Sequence, residues 1–195
     1  DVTSWAEMKQ VYRQLKMPEV QSMYRCVIID TIDIAADRCK KYICNQNGIE
    51  DLGDLGYGKG WTKFKEEFNE VFRGLTQLGY AVFFISHEKD KEFKRKDGTS
   101  YHQIVPSCPN TFNEIAKNLV DIYAYAEKYE DNGQAKVRLV IRSTDNSIDC
   151  GSRFKYIEPV IDMSYKALVD ASEIYSIINE NSVSEDLKKK AESFK

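Results

Sequence analysis

Two short, continuously apolar runs constrain this chain more than any other feature. They are Cys26-Val27-Ile28-Ile29, closed by Asp30, and Ala81-Val82-Phe83-Phe84-Ile85. Runs of this length, rich in β-branched and aromatic residues and without polar alternation, suit strands buried on both faces of a parallel sheet. The residues between them have helical spacing. Ile32, Ala35, Ala36, Cys39 and Ile43 share one face of a first helix. Trp61, Phe64, Phe68, Val71, Phe72, Leu75 and Leu78 form the strongest apolar stripe in the chain, and Gly79 closes it. Strand, helix, strand, helix and a later hairpin predict an α/β fold with a mixed sheet.

The flanking segments add detail. Ser4 and Glu7 form a capping box for a helix carrying Trp5, Met8, Tyr12 and Leu15, which Pro18 ends. So abrupt an opening predicts further sequence upstream. Residues 88–109 are polar and end in Pro106 and Pro109, with Asp97-Gly98 as a hairpin turn between two extended arms. A short helix capped near Asn110 or Thr111 leads to a third strand, Leu119–Ala126. Asn132-Gly133 then turns the chain into a fourth, antiparallel strand, Val137–Ile141. Two helices are expected at roughly 164–180 and 184–194.

Composition narrows the function classes. The 195 residues are 42% hydrophobic, enough for one sizeable core. A formal charge of −3 argues against a surface that binds duplex DNA all over, so any nucleic-acid contact must be local. No apolar run approaches the ~18 residues needed to span a bilayer. Cys26, Cys39, Cys44, Cys108 and Cys150 contain no C-x-x-C and read as reduced thiols of a cytoplasmic protein. With only His87 and His102 to join them, they do not make a zinc site.

Five segments carry chemistry. Asp30 stands at the carboxyl end of a strand, where α/β sheets bind ligands and where a Walker B acid holds the magnesium shell. An Asp there also suits the cap of a helix starting at Thr31. Ser86-His87-Glu88 follows the second strand directly, on the same expected edge, where a polar side chain can sense a γ-phosphate or orient water. A surface histidine opening a loop is the plainer alternative. Gly53 to Gly60 nearly fits a phosphate-binding loop, but Gly60 stands where a hydroxyl is needed, no strand precedes it, and it follows the Walker B candidate. The better reading is a flexible glycine loop that offers Lys59 to a phosphate or nucleic-acid backbone. In residues 89–105, Lys94, Arg95 and Lys96 with Tyr101 and Phe93 suit single strands, although Glu88, Asp90, Glu92 and Asp97 dilute the charge. Arg142 and Arg153 are candidates to reach a phosphoryl group across a subunit interface, or simple salt-bridge partners. Lys188-Lys189-Lys190 reads as a solvated helix face.

Taken together, Tyr24 to Asp33, Leu55 to Trp61, Phe84 to Glu88 and Asn118 to Ile122 resemble the phage AAA-type nucleotide-binding proteins. The likeness covers most of residues 1–170 in the right order. It implies a RecA-like P-loop ATPase core, mainly parallel with a C-terminal antiparallel hairpin, over 1–160, and a helical extension over 161–195. It implies ATP and Mg2+, with Asp30 as the Walker B acid holding Mg2+ through water, and Ser86-His87 as the sensor. Asp30, His87 and Arg153 would be catalytic, and Asp30, Thr31, Ser86 and Arg142 would meet the nucleotide. Residues 45–60 and 88–109 would be the two mobile loops, with Lys59, Lys94, Arg95, Lys96 and Tyr101 on DNA. Some members are similar to single-strand annealing recombinases that work with a single-strand-binding protein, and such cores assemble head to tail as homo-oligomers. The departure is at the start: the family's strand, Gly-Lys-Thr/Ser loop (Walker A), helix and second strand do not occur in these residues.

The expected function is therefore an ATP-binding and hydrolysing module of a phage recombination or replication protein, acting in the bacterial cytoplasm, whose ATP state sets its hold on single-stranded DNA. The alternatives are a non-enzymatic RecA-like scaffold for DNA or a partner protein, and a helicase-loader or terminase-like motor.

Overall fold

The computed structural model describes residues 1–155 and 157–171. These divide into two compact units: residues 1–89 with 105–119, and residues 90–104 with the chain from 120 onward.

The first unit starts with α1 (Trp5–Leu15), whose N-cap Ser4 hydroxyl accepts from the Glu7 amide. Pro18 does more than end that helix. It stands at the first position of a second one, α2 (Pro18–Met23), where its missing N–H costs nothing and its fixed φ fits the first turn. The chain continues through β1 (Cys26–Asp30), α3 (Ile32–Asn47), a 3-10 turn at Leu52–Leu55, α4 (Lys59–Thr76) and β2 (Ala81–Ile85). After β2 come β3 (Glu88–Lys94) and β4 (Ser100–Pro106), most of which lie in the second unit, and then α5 (Asn110–Leu119), which returns to the first.

β1 and β2 pair in parallel, with Cys26 opposite Ala81 and Asp30 opposite Ile85. A parallel neighbour cannot be reached by a tight turn, and the intervening α3 and α4 supply the crossover. Those helices meet in an aromatic core. Phe68 lies at its centre, with ring centroids 3.9 Å from both Phe72 and Phe112 and 5.4 Å from Trp5. All four rings are buried. The Trp5 indole N–H donates to Glu67 at 2.9 Å, which Lys9 also pairs, so the large ring enters the core without stranding its polar atom. The Tyr80 hydroxyl donates to the Leu15 carbonyl and satisfies an orphaned helix-end acceptor.

Some expectations are corrected. Trp61 belongs to the sequence stripe but is exposed, because the helix turns Gly60 inward in its place. A Cβ at Gly60 would lie 2.0 Å from the Leu52 carbonyl oxygen, so only glycine lets the turn pack on α4. The glycine stretch is consequently built, with Asp51 and Asp54 forming a reciprocal capping box at the turn. Among the described residues β1 and β2 are covered on one face only. Val27, Ile29, Val82 and Phe84 pack on the core, while Ile28, Phe83 and Ile85 point outward at 60%, 38% and 45% exposure.

In the second unit β5 (Ile122–Tyr123) pairs antiparallel with β8 (Gly151–Ser152). A sheet is formed by β6 (Tyr125–Asp131), β7 (Gln134–Val140) and β9 (Val160–Asp162), all antiparallel. The turn between β6 and β7 has positive φ at Asn132 and Gly133, as the Asn-Gly pair demands. The single strand expected at Leu119–Ala126 is instead the end of α5, then β5 and the start of β6. The apolar stripe of α5, with Phe112, Ile115 and Ala116 buried, carries the helix to Leu119. Among the described residues the fold is α/β with several small sheets, and the only parallel strand pair is β1–β2. The mainly parallel sheet is thus not what the described residues form, because hairpin turns at Asp97-Gly98 and Asn132-Gly133 make their strands antiparallel. The expected helix at 184–194, with Lys188-Lys189-Lys190, and most of that at 164–180 lie outside the described residues.

Because Phe68 is surrounded by rings on several sides, Phe68→Ala leaves a cavity that neighbours cannot fill. It is expected to cost about 3–5 kcal/mol in urea unfolding followed by tryptophan fluorescence. A loss below about 1 kcal/mol would mean the stack is not the centre of the core.

Candidate functional site

The parallel pairing brings two strand ends to one edge. Asp30 is the last residue of β1 and exposed, and it stands opposite Ile85 in the ladder. Ser86 and His87 continue from β2 at that same edge. Thr31, not Asp30, occupies the N-cap of α3, so Asp30 is a strand-end acid and not the cap. The Asp30–Thr31 peptide bond is cis. Thr31 makes no side-chain capping bond. Its hydroxyl is buried at 8% exposure and lacks a well-formed hydrogen bond, although it lies close enough to Asp33 to act on that carboxylate.

The residue that organises this edge is Asp33, in the first turn of α3, where the helix dipole favours an acid. Its Oδ2 lies 2.7 Å from His87 Nδ1, and its Oδ1 accepts from the His87 backbone N–H at 3.4 Å. One carboxylate therefore holds one residue by ring and by backbone. Partial burial pushes the Asp33 carboxyl up, but the bonds from His87 and its own backbone, with the nearby Thr31 hydroxyl, outweigh that and leave it below its ordinary value. The Asp33 hydrogen bond and charge raise the His87 imidazole above its usual 6.5, with a smaller upward push from Asp30. With Nδ1 committed to the carboxylate, Nε2 is the ring atom left to meet a ligand: a donor when the ring is charged, an acceptor when it is neutral.

Neighbouring groups anchor the segment. The Ser107 amide donates to the His87 carbonyl at 2.8 Å, and Lys89 Nζ donates to the carbonyls of Ser107 and Cys108. The Ser86 hydroxyl donates to the His87 carbonyl, which ties it to the backbone. Burial pushes the Cys108 thiol up to about 11, so it is no nucleophile at neutral pH.

A family model described as an AAA domain matches residues 1–154. The chain belongs to this AAA-domain family. AAA domains are nucleotide-binding, ATPase-like modules that work with nucleotide and Mg2+. The chain is also 28% identical, over 186 residues, to the SPbeta prophage-derived uncharacterized protein YorG of Bacillus subtilis (strain 168). That alignment takes in 88% of this chain and 54% of the relative, so the chain spans about half of that protein's length. No solved structure matches.

The other sequence candidates are placed as follows. Lys59 is exposed as the first residue of α4, and the Gly53–Gly60 run starts inside the 3-10 turn that follows α3, with no strand before it. Arg142 and Arg153 belong to the second unit and are engaged there. Arg142 Nη2 donates to the Phe154 and Lys155 carbonyls, both at 2.8 Å. Arg153 pairs with Asp121 at 3.3 Å in an exposed contact of the kind that contributes little to stability. Lys94, Arg95, Lys96 and Tyr101 belong to the β3–β4 hairpin. Among the described residues no helix is long and apolar enough to cross a membrane. Asp33 was missed as a site residue. Its signal was an acid three residues past a strand-end acid, in the first turn of the crossover helix.

The signs of the two shifts define a pH window. The Asp33 side fails as pH falls through its lowered value. The His87 side is fully present below about 6.5 and is lost as pH rises through its raised value. Titration of the His87 ring protons by NMR is expected to give a midpoint above 6.5 that drops back toward it in Asp33→Asn. An unchanged midpoint in that variant would show that the carboxylate does not hold the ring.

Proposed function

We propose that this AAA domain is the Walker B half of a phage ATPase module, RecA-like in its working edge, that couples ATP state to single-stranded DNA in recombination or replication. The observation that carries this reading is the parallel register that sets Asp30 beside the Ser86-His87 turn, with His87 clamped by Asp33 at 2.7 Å. Asp30 is an exposed strand-end carboxylate and suits the water shell of Mg2+. The buried Thr31 hydroxyl without a well-formed bond is a polar atom that a nucleotide-side ligand can satisfy. Mg2+ would supply charge neutralisation on the phosphates. His87, aligned by Asp33, presents Nε2 to a terminal phosphate oxygen or to water.

The lysine and hydroxyl that grip β- and γ-phosphates are not among these residues. In this reading they come from polypeptide outside them, and the outward Ile28, Phe83 and Ile85 of the open sheet face give that polypeptide an apolar surface to cover. Arg142 and Arg153 are offered as nucleotide contacts from a neighbouring subunit in a homo-oligomer, with Arg153 exposed at its contact with Asp121. Single-stranded DNA, and with it a single-strand-binding protein, is assigned to Lys59 and to the β3–β4 hairpin, whose first strand begins at the residue after His87. The scaffold reading differs in one respect: it requires no turnover from any form of the protein.

Two measurements test this. ATP–Mg2+ titrated calorimetrically into the 195-residue chain is expected to bind on the order of millimolar or weaker, and micromolar affinity would contradict it. The complete reading frame is expected to show DNA-stimulated ATPase activity that falls roughly a hundredfold or more in Asp30→Ala and His87→Ala. Turnover unchanged in both variants would remove the site assignment.

A further inference from the structure

Lys89 opens the β3–β4 hairpin but is bonded at the Asp33–His87 edge. It is the second residue of β3, and with Asp30, Asp33 and His87 it belongs to the first unit. Its Nζ donates to the Ser107 carbonyl at 3.2 Å and to the Cys108 carbonyl at 3.4 Å. The Ser107 amide in turn donates to the His87 carbonyl at 2.8 Å. The Ser107-Cys108 segment is therefore held by His87 through the main chain and by Lys89 through the side chain. Burial dominates the Cys108 thiol, but Ser86, Asp33 and Lys89 act on it as well, so these three side chains lie around one buried group. Glu88 is on the opposite side of β3 from Lys89 by strand alternation.

We infer that Lys89 is a phosphate ligand of the nucleotide edge, meeting the terminal phosphate of a nucleoside triphosphate together with His87 Nε2. The inference rests on the nucleotide half of the proposed function and is independent of its single-strand half. A lysine ammonium carries three N–H groups. Two are spent on the Ser107 and Cys108 carbonyls, which fix the cation in place, and the third remains for a ligand. The residue is exposed, so an anion can reach it. No bond of the free protein has to break. The edge also needs the charge. Asp30 and Asp33 put two carboxylates there, and a triphosphate brings more negative charge to the same place. A cation already held by backbone dipoles costs no reorganisation when the anion arrives, which is the condition under which a charge contributes most. A point charge, unlike the guanidinium fork, makes no demand on how the phosphate is turned. The assignment takes Lys89 out of the cations along residues 89–105 that single-stranded DNA would meet and gives it to the nucleotide.

The first test needs no turnover. The isotope-labelled 195-residue chain is titrated with tripolyphosphate at about pH 6, where the His87 ring is charged, and the His87 ring and Lys89 ammonium signals are followed by NMR. Both are expected to shift along one binding curve. Lys89→Gln is expected to weaken the curve read at His87 by about threefold or more, and Lys65→Gln, which changes an exposed lysine of α4, to leave it as it was. The second test uses the complete reading frame. Lys89→Gln is expected to lower ATP affinity by about tenfold while ADP affinity changes by less than about twofold, and Lys89→Arg, which keeps the charge, to recover most of the loss. Circular dichroism checks that each variant is folded. The inference is overturned if the Lys89 signal does not move with tripolyphosphate. It is also overturned if Lys89→Gln weakens ATP and ADP alike, which would make the lysine a brace for Ser107 and Cys108 only. Loss of oligothymidylate binding without loss of ATP binding overturns it too and returns Lys89 to DNA. A complete reading frame that binds no nucleotide defeats the proposed function, and the tripolyphosphate titration, which uses none, tells that failure from a failure at Lys89.

Discussion

The parallel ladder between β1 and β2 is the constraint from which the rest of the first unit follows. Parallel strands run the same way, so both of their carboxyl ends reach one edge, and the connection between them has to cross the whole sheet. Here that crossover is α3, the 3-10 turn and α4, and its cost in ordering is offset by burying Phe64, Phe68, Phe72 and Trp5. Once the register sets Asp30 opposite Ile85, the next residues on each side have little freedom. Ile32 and Asp33 enter α3, and Ser86 and His87 leave β2. The Asp33–His87 contact follows from that register: slide either strand by one residue and the carboxylate and imidazole no longer share a side.

The pair is more a positioning device than a source of stability. The His87 side chain is 65% exposed, so water and salt screen its attraction to Asp33. What the carboxylate provides is geometry. Both of its oxygens are used on a single residue, one on the ring and one on the backbone, and that fixes where Nε2 points. A carboxylate that orients a histidine and sets its tautomer is a recurrent way of preparing a ring nitrogen for proton transfer or for an anion. Thr31 fits the same logic from the other side. Its hydroxyl is enclosed without a well-formed bond, and a buried polar group in that condition is costly unless something completes it.

Much of this edge was legible from local pattern, because apolar runs, helical stripes and Asp-Gly or Asn-Gly turns are short-range signals. β1, β2 and the α4 stripe from Phe64 to Leu75 follow those signals, as do the turns at Asp97-Gly98 and Asn132-Gly133. What stayed hidden depends on contacts distant in sequence. Asp33 and His87 are 54 residues apart, and nothing in the local pattern of either names the other. A run such as Cys26–Ile29 reads as doubly buried whether or not a second layer is present, so the exposure of Ile28 could not be read from it. Trp61 fits its stripe by spacing, and only the contact of Gly60 with Leu52 decides which of the two turns inward. Pro18 carries both meanings, stop and start, and the residues after it select the second.

Charge is the case in which reading along the chain and reading across a surface diverge most. Residues 88–92 alternate acids and bases, and by linear count the signs over 88–97 largely cancel. A strand has a side-chain period of two, so a sequence that alternates sign at the same period does not average its charges but separates them onto two faces. Phe93 and Tyr101 then lie on the cationic side, where their rings hold Lys91 and Arg95 in place. The long-range field of the whole molecule governs how fast an anion arrives, but within a Debye length of about 8 Å the local face governs what stays bound.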